Sequence, residues 1–244
     1  MSNNKNTKIA ALVTARGKNT LRNKHLILVN KKPLIWYPVS IAKKCRSFDH
    51  YYISSDNRKI LKIGEKEGYQ IIKRPKKISL PTSMHIDAIV QALDIMKSKD
   101  NYTPDILVVL LGNTVYFKPE WIENSIKLLL EDENISAVVP IYRQNDHHPY
   151  RAKFIDNHGF LRPYFDFSKR KISTNRQNLR SNYFLCHNFW TLRVSKSIKG
   201  KNGQAPWIFM GKNIRPLILE GGPDVHEAKD IGLCECWLNN NKNK

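Results

Sequence analysis

The sequence has no run of apolar residues long enough to cross a membrane. A spanning helix takes about 20 consecutive apolar residues, whereas apolar runs in this chain, such as DILVVLL, are far shorter. The N-terminal MSNNKNTK is not followed by an apolar signal region. We therefore expect a cytoplasmic protein that does not insert into a membrane.

Cysteine is scarce, and its arrangement does not suit a metal finger. Cys45, Cys186, Cys234 and Cys236 lack the paired spacing of zinc sites. Cys234 and Cys236 are separated by one residue in a segment with a helical pattern, which is poor geometry for a disulfide. We expect four reduced thiols, as is usual in the cytosol.

Acidic residues are also few, because 41 lysines and arginines face 21 aspartates and glutamates and leave a net charge of +20. Such an excess suits a nucleic acid, an anionic membrane or an anionic small substrate. The sequence has no basic helix and no basic strand interleaved with aromatic residues, as RNA-binding modules have. An anionic small molecule is therefore the expected partner, and neither nucleic acid nor membrane is.

What the sequence does contain is an alternation of strands and helices as far as about residue 141. Buried strands are predicted at residues 9–13, HYYISSD, DILVVLL and ISAVVPIY, and a helical pattern follows the first three. One helix is predicted from Pro33, because proline suits the first helical turn. The alternation predicts a single α/β domain with a mostly parallel sheet and helices on both faces, spanning residues 8–240 between tails at 1–7 and 241–244.

The pattern changes between residues 146 and 193. YRAKFID and GFLRPYFDF predict two strands around the turn NHG, and YFLCHNFWTLRV predicts a further strand. We interpret this segment as a β-rich lobe that contributes to substrate binding and dimerisation. The expected assembly is a homodimer.

Three polar clusters follow predicted parallel strands, at residues 16–24, 54–56 and 112–114. Ligands of such sheets bind outside the carboxyl ends of the strands. The first cluster, TARGKNTLRNK, is not a Walker loop, which requires glycine, lysine and serine or threonine after four intervening residues. Its backbone amides and cations suit a triphosphate, although a solvated basic loop would have the same composition.

The order of these motifs resembles the nucleotide-sugar cytidylyltransferases, the family of CMP-sialic acid and CMP-3-deoxy-octulosonate synthetases. Ala15-Arg16-Gly17 and Lys32-Pro33-Leu34-Ile35 match its opening motifs, and His25 stands where asparagine is usual. ISSDNRKILKIGEKEG, KRP and NRQNL are similar to later family segments, so the resemblance runs from about residue 8 to 238. It implies a Rossmann-like, nucleotidyltransferase-type sheet.

The resemblance also implies an activity and a set of site residues. The enzyme would convert CTP and an acidic sugar, of the nonulosonic acid kind, to a CMP-sugar and pyrophosphate. The residues implied to be catalytic are Arg16, Lys24 and Asp224. The residues implied to bind the nucleotide are Ala15, Arg16, Gly17, Lys18, Arg22, Lys24, Ser55, Asp56, Gly112 and Asn113. The residues implied to bind the acceptor are His148, Arg151, Lys153, Arg176, Gln177 and His187.

The departures from the family pattern fall on the metal site. The family has Gly-Asp in one branch where this chain has Gly112-Asn113, and Asp-x-Asp where it has Asp224-Val225-His226. We expect magnesium bound by Asp224 with Asn113 and His226, and manganese is the alternative because imidazole suits transition metals better. Two other functions stay open: a cytidylyltransferase for another acid such as a phosphonate, and a nucleotide-sugar binder with impaired catalysis.

Overall fold

The computed structural model describes residues 7–168, 171–200 and 202–241. Most of the predicted tails, residues 1–6 and 242–244, lie outside these ranges. No helix within the described ranges is both long enough and apolar enough to span a bilayer.

The described residues form strands and five α-helices, which we number in chain order. The strands are β1 Ile9–Thr14, β2 Leu28–Val29, β3 Lys32–Pro33, β4 His50–Ser55, β5 Gln70–Lys73, β6 Ile106–Leu111, β7 Ala137–Arg143, β8 Lys153–Ile155, β9 Leu161–Pro163, β10 Tyr183–Leu185, β11 Phe189–Arg193 and β12 Ile214–Leu219. The helices are α1 Trp36–Ala42, α2 Arg58–Lys66, α3 His85–Asp100, α4 Pro119–Glu131 and α5 Asp230–Asn240.

The main sheet has the strand order β10-β7-β11-β6-β1-β4-β5, and β12 pairs with β7. β6, β1, β4 and β5 run parallel to one another, and β12 is parallel to β7, whereas β11 and β10 are antiparallel to their neighbours. Thr14 at the end of β1 pairs with Ser54 on one side and Leu111 on the other. The carboxyl ends of three strands therefore meet at one edge, and the predicted mostly parallel α/β sheet is confirmed.

Both faces of this sheet are covered, because successive residues of a strand point to opposite faces. Val13 of β1 packs in one cluster with apolar residues of α1, α2 and α4, and Leu12 packs in a second cluster with residues of α3. All six residues of β1 and of β6 are buried. Continuous burial explains why these strands read as uninterrupted apolar runs.

The prediction that Pro33 begins a helix was wrong. Pro33 lies in β3, where it pairs with Leu28 in a short hairpin, and α1 begins at Trp36. The hairpin turns at Asn30 and Lys31, whose φ angles of 42° and 65° are both left-handed. Two consecutive left-handed residues match the turn that suits a two-residue hairpin.

The predicted strand YFLCHNFWTLRV is interrupted. It divides into β10 and β11, and the residues between them are held by hydrogen bonds from Cys186 N to Pro140 O and from Leu111 N to Asn188 O, both 2.8 Å. The interruption leaves His187 at the carboxyl edge of the sheet, where it lines the same pocket as Gly112 and Asn113.

The β-rich lobe contains the predicted hairpin. β8 and β9 are antiparallel and form a sheet of their own, and Gly159 turns between them with a left-handed φ of 82°. The lobe exposes several large apolar side chains: Phe154, Ile155, Phe160, Leu161, Tyr164 and Phe165.

Candidate active site

A pocket of about 440 Å³ opens at the carboxyl edge of the sheet. It is closed on one side by the loop after β1, on another by the segment from β5 to α3, and on the third by the segment before α5. The predicted site residues that line it are Ala15, Arg16, Lys24, Gly112, Asn113, His187, Asp224 and His226. The pocket thus contains all three predicted catalytic residues.

The loop after β1 is shaped by Asp56. The Asp56 carboxylate accepts a hydrogen bond of 2.6 Å from Gly17 N. A Cβ at Gly17 would lie 2.9 Å from Asn57 Cβ, so this close approach requires glycine. Ser55 is buried and accepts from Asn57 N at 3.0 Å. The predicted nucleotide ligands Gly17, Ser55 and Asp56 therefore support the pocket loop and do not line the pocket.

Arg16 connects two walls of the pocket. Its guanidinium donates to the Lys18 carbonyl at 2.8 Å and to the Leu80 carbonyl on the segment between β5 and α3. Asn19 donates to the Arg16 carbonyl at 2.7 Å, which closes the loop on itself. Lys18 and Arg22 are exposed and lie outside the pocket lining.

Lys24 faces Asp224 across the pocket. Burial lowers the pKa of Lys24, and the Asp224 carboxylate opposes that change. The two effects oppose each other because burial disfavours the charged ammonium group, whereas a nearby carboxylate favours it.

His25 anchors the floor of the pocket. Its Nδ1–H donates to the Gly112 carbonyl at 2.9 Å, and burial lowers its pKa to about 4, so the ring is neutral at neutral pH. A Cβ at Gly112 would lie 2.7 Å from Ile35 Cδ1 and 3.1 Å from His25 Nδ1. The floor is thus closely packed beneath the predicted nucleotide ligand Gly112.

The segment that carries Asp224 is tied to the sheet edge by backbone contacts. Asp224 forms a bridge with Thr114, and Val225 N donates to Asn113 O at 2.7 Å. The Asp230 carboxylate at the start of α5 accepts from His226 N and Glu227 N, both at 2.8 Å, and these bonds lower its pKa. Asp224 and Asn113 are therefore neighbours at the sheet edge.

The predicted metal ligands Asp224, Asn113 and His226 suit only a metal ion that takes most of its ligands from a substrate. His226 Nε2 donates to Asp224 Oδ2 at 2.7 Å, so this nitrogen faces the carboxylate and not a shared ion. Within the described ranges, no three His, Cys, Asp or Glu side chains are grouped so that they could hold a metal. Magnesium commonly uses one or two carboxylates together with substrate phosphates and waters. Asp224 Oδ1 and the Asn113 side-chain oxygen could provide that share.

Two further pocket residues were not among the predicted site residues. Arg74 is buried directly after β5 and donates to Ser54 Oγ at 3.2 Å and to Ser54 O at 3.1 Å. Burial lowers its pKa to about 10, so it stays a cation at neutral pH. Because Arg74 follows a parallel strand, the rule that located the other polar clusters would have identified it.

His85, the first residue of α3, is the second. Its ring meets the buried Trp190 ring edge-on, with centroids 5.3 Å apart. The His85 side chain is exposed towards the pocket. The protein atoms around the ring nevertheless reduce its contact with water, and this desolvation lowers the pKa of His85. No motif in the sequence pointed to it.

The remaining predicted acceptor residues are not brought into this pocket. His148 is buried in the lobe, where Nε2–H donates to Arg180 O at 3.1 Å and Nδ1 accepts from Tyr150 N at 3.1 Å. The others, Arg151, Lys153, Arg176 and Gln177, are exposed on the lobe. Only His187 of the predicted acceptor set lines the pocket.

The chain is similar to known cytidylyltransferases in sequence. A family model described as "Cytidylyltransferase" matches residues 10–186. The N-acylneuraminate cytidylyltransferase of Escherichia coli O18:K1:H7 is 28% identical over 141 residues, which is 57% of this chain and 32% of that protein. The pseudaminic acid cytidylyltransferase and UDP-2,4-diacetamido-2,4,6-trideoxy-beta-L-altropyranose hydrolase of Helicobacter pylori is 24% identical over 60% of this chain and 28% of that protein. These matches span about a third of each relative's length or less.

Solved structures share the fold. A CMP:2-keto-3-deoxy-manno-octonic acid synthetase complexed with CTP superposes with a TM-score of 0.67 at 15% identity, over 96% of this chain and 99% of that chain. A 4-diphosphocytidyl-2C-methyl-D-erythritol synthase from Anaerococcus prevotii gives a TM-score of 0.64 at 12% identity, over 96% and 99%.

Proposed function

The chain belongs to the cytidylyltransferase family, and we propose that it transfers CMP from CTP to an acidic sugar and releases pyrophosphate. The observation that carries the proposal is a single pocket in which Arg16 and Lys24 face Asp224 at the carboxyl edge of a parallel sheet. The names of its relatives specify N-acylneuraminate, pseudaminic acid and 3-deoxy-manno-octulosonate as what they act on.

In the proposed reaction, a hydroxyl oxygen of the acceptor attacks the α-phosphorus of CTP. The bond from that phosphorus to pyrophosphate breaks with its electron pair staying on the pyrophosphate oxygen, and the hydroxyl proton passes to solvent water. Arg16 and Lys24 lie in the pocket where they can hold the phosphates and the charge that grows on the leaving pyrophosphate. Such transfer depends mainly on positioning and charge stabilisation.

The cytosine ring would lie against the wall between β5 and α3. Met84 and Ala88 line this wall with apolar surface, while Arg74, Ser83 and His85 supply polar atoms at its border. A flat pyrimidine needs such a combination of apolar area and a few fixed polar groups.

Asp224 and Asn113 are the proposed protein ligands of magnesium, and manganese is the alternative. The ion would add positive charge beside the phosphates. His226, through its 2.7 Å contact, orients the Asp224 carboxylate. This contact also supports a second candidate function, a nucleotide-sugar binder with impaired catalysis, because it occupies one oxygen of the main metal ligand.

The lobe is proposed to pair two chains. Arg151, Lys153, Arg176 and Gln177 do not reach the pocket of their own chain. The lobe also exposes apolar surface, with Ile155 and Leu161 each about 70% accessible. A homodimer would cover this surface, and it would let the lobe cations orient an acidic acceptor at the partner's pocket.

The test measures CTP binding and turnover separately. Wild-type protein and Arg16→Ala are compared by thermal shift with CTP, ATP and GTP, and by pyrophosphate release from CTP with a panel of acceptors. The panel contains N-acetylneuraminate, pseudaminate, 3-deoxy-manno-octulosonate and a phosphonate, each with magnesium or manganese. Lys18→Ala is the matched control, because Lys18 is a cation of the same loop outside the pocket lining.

We expect CTP to give the largest stabilisation, Arg16→Ala to remove most of it, and at least one sugar acid to release pyrophosphate. An equal response to all three nucleotides would contradict the assignment to cytidine. Turnover with the phosphonate alone would change the acceptor class. CTP binding without turnover on any acceptor would favour the binder.

A further inference from the structure

A second cavity of about 440 Å³ lies between α1, the start of α4 and the end of α5. It shares no lining residue with the candidate active site. Its walls include the half-buried rings of Trp36, Tyr37 and Trp237 and the buried ring of Phe117. The volume lies in the usual range for small-molecule sites, roughly 300–1,000 Å³.

Three lysines surround these rings: Lys32, Lys44 and Lys118. Lys32 Nζ lies 5.1 Å from the centroid of the Trp36 ring, and Lys118 Nζ lies 5.5 Å from that of Trp121. In the part of the chain that the structure describes, none of the three forms an ion pair with a carboxylate. Glu120 is the acidic residue of the lining. The cavity is therefore both aromatic and positively charged.

We infer that this cavity binds a planar aromatic anion of the size of a nucleoside monophosphate, at a site separate from the candidate active site. A flat ring can stack on tryptophan and tyrosine faces. An anionic group at one end of the ligand would take the place of water around the lysine ammonium groups, whose charge it offsets. An apolar neutral ligand would leave those charges uncompensated.

The second cavity lies next to Tyr116, the ring against which the Asp224 segment packs. The Trp237 ring meets the Tyr116 ring edge-on, with centroids 5.2 Å apart. A Cβ added at Gly222 would lie 1.9 Å from Tyr116 Cδ2, so the Asp224 segment rests directly on that ring. A ligand stacked on Trp237 would therefore touch a ring that contacts Tyr116. Tyr116 in turn supports the segment that carries Asp224.

The test is a titration calorimetry experiment with AMP as the probe, on wild-type protein and four variants, the fourth of which replaces Lys44 and Lys118 by arginine. Lys44→Ala combined with Lys118→Ala removes two cations of the second cavity. Lys127→Ala is the matched control, because Lys127 is a lysine of the same helix α4 whose side chain is 74% exposed and outside the cavity. Arg16→Ala alters the candidate active site alone.

We expect the double lysine variant to bind AMP about tenfold or more weakly, because two charged contacts to the phosphate are lost. Lys127→Ala and Arg16→Ala should bind AMP as the wild type does. Replacing the two lysines by arginine should restore binding, which distinguishes lost charge from a folding defect. If AMP affinity falls with Arg16→Ala and not with the lysine variants, AMP occupies the active site and the inference is wrong. Absence of AMP binding to the wild-type protein would also overturn it.

Discussion

The pocket at the sheet edge and the β-rich lobe both present arginines, but Arg16 and Arg74 of the pocket donate to backbone carbonyls and a buried serine, whereas Arg162 and Arg176 of the lobe pair with acidic side chains. Arg74 is buried and donates twice to Ser54, and Arg16 donates to two backbone carbonyls. On the lobe, the ion pair of Arg176 with Asp146 has side chains that are 58% and 64% exposed, and such pairs contribute little to stability. The difference agrees with a pocket that one chain organises, and with our proposal that a second chain positions the cations of the lobe.

Of the substitutions that test this comparison, the one at Asp224 in the pocket should have the largest effect on turnover. Asp224→Asn should lower turnover by about 100-fold or more, because removing one main stabiliser of the transition state commonly has an effect of that size. CTP affinity should change far less, since metal charge acts chiefly on the transition state. Steady-state pyrophosphate release and CTP titration measure the two quantities.

Glu227→Gln is the control for Asp224→Asn, because Glu227 is a nearby carboxylate whose side chain is 68% exposed. It should leave turnover unchanged. Asn113→Asp, which restores a carboxylate beside Asp224, should keep or raise activity with magnesium. Unchanged turnover in Asp224→Asn would mean that the catalytic metal lies elsewhere.

The next effect concerns the support beneath Asp224. Gly222→Ala would place a methyl group 1.9 Å from the Tyr116 ring, so the Asp224 segment or the ring must move. We expect turnover to fall by about tenfold, less than the roughly 100-fold that a misplacement of about 1 Å can cause, and the protein to lose about 1–3 kcal/mol of stability through overpacking. Turnover and urea denaturation are the measurements.

Gly232→Ala provides the contrast on the same part of the chain. A Cβ at Gly232 would meet no atom within 4 Å, and the residue lies inside α5. This variant should gain about 0.5–1 kcal/mol, the usual advantage of alanine over glycine within a helix. If both variants behaved alike, contact with Tyr116 would not position Asp224.

In the lobe, by contrast, substitutions should change the assembly of the protein and leave the pocket intact. Ile155 and Leu161 face each other in the β8–β9 hairpin and are 70% and 69% exposed. Changing both to aspartate should convert a homodimer into a folded monomer of 28.4 kDa, because buried charges would destabilise an apolar interface. Light scattering gives the mass, and thermal shift with CTP tests whether the pocket remains intact.

Leu233→Asp, at a residue of α5 that is 59% exposed, is the control and should leave the mass unchanged. A wild-type mass near 28.4 kDa would contradict the proposed dimer directly. Loss of CTP binding together with the dimer would contradict the view that one chain organises its own nucleotide pocket.

The same contrast explains what could be predicted from the sequence. The ends of β1 and β6 were predictable because buried parallel strands are continuous apolar runs, and strand ends converge at one edge whatever the loops do. The role of Asp56 was not predictable, since a carboxylate at a strand end can face a ligand or its own loop. Which of them it does depends on backbone geometry, here on a 2.6 Å contact with Gly17.

The acceptor residues illustrate a different limit. His148 had the right chemistry for a substrate contact, but both of its ring nitrogens are engaged by lobe backbone. Arg176 lies on a surface whose partner is a second molecule in our proposal, and nothing in a single sequence specifies that geometry. His187 reaches the pocket only because the strand predicted from 183 to 194 is interrupted.

The last expected effect concerns the packing of the pocket floor, and it appears as a dependence of stability on pH. His25 has a folded pKa of about 4, against 6.5 for an ordinary histidine. Above pH 6.5 the ring is neutral in both states, so its contribution is complete. As pH falls from 6.5 towards 4, the unfolded state binds a proton that the folded state does not, and stability is lost by up to about 1.4 kcal/mol per pH unit.

His25→Asn removes this titration and keeps a donor that could reach the Gly112 carbonyl. Urea denaturation at about pH 7, 6 and 5 should therefore show a smaller loss of unfolding free energy in the variant than in the wild type. Comparing slopes separates His25 from the other groups that titrate in this range, since the variant retains all of them. Parallel slopes of unfolding free energy against pH would mean that the His25 imidazole takes up a proton as readily in the folded protein as in the unfolded one. The pocket floor would then be open to solvent.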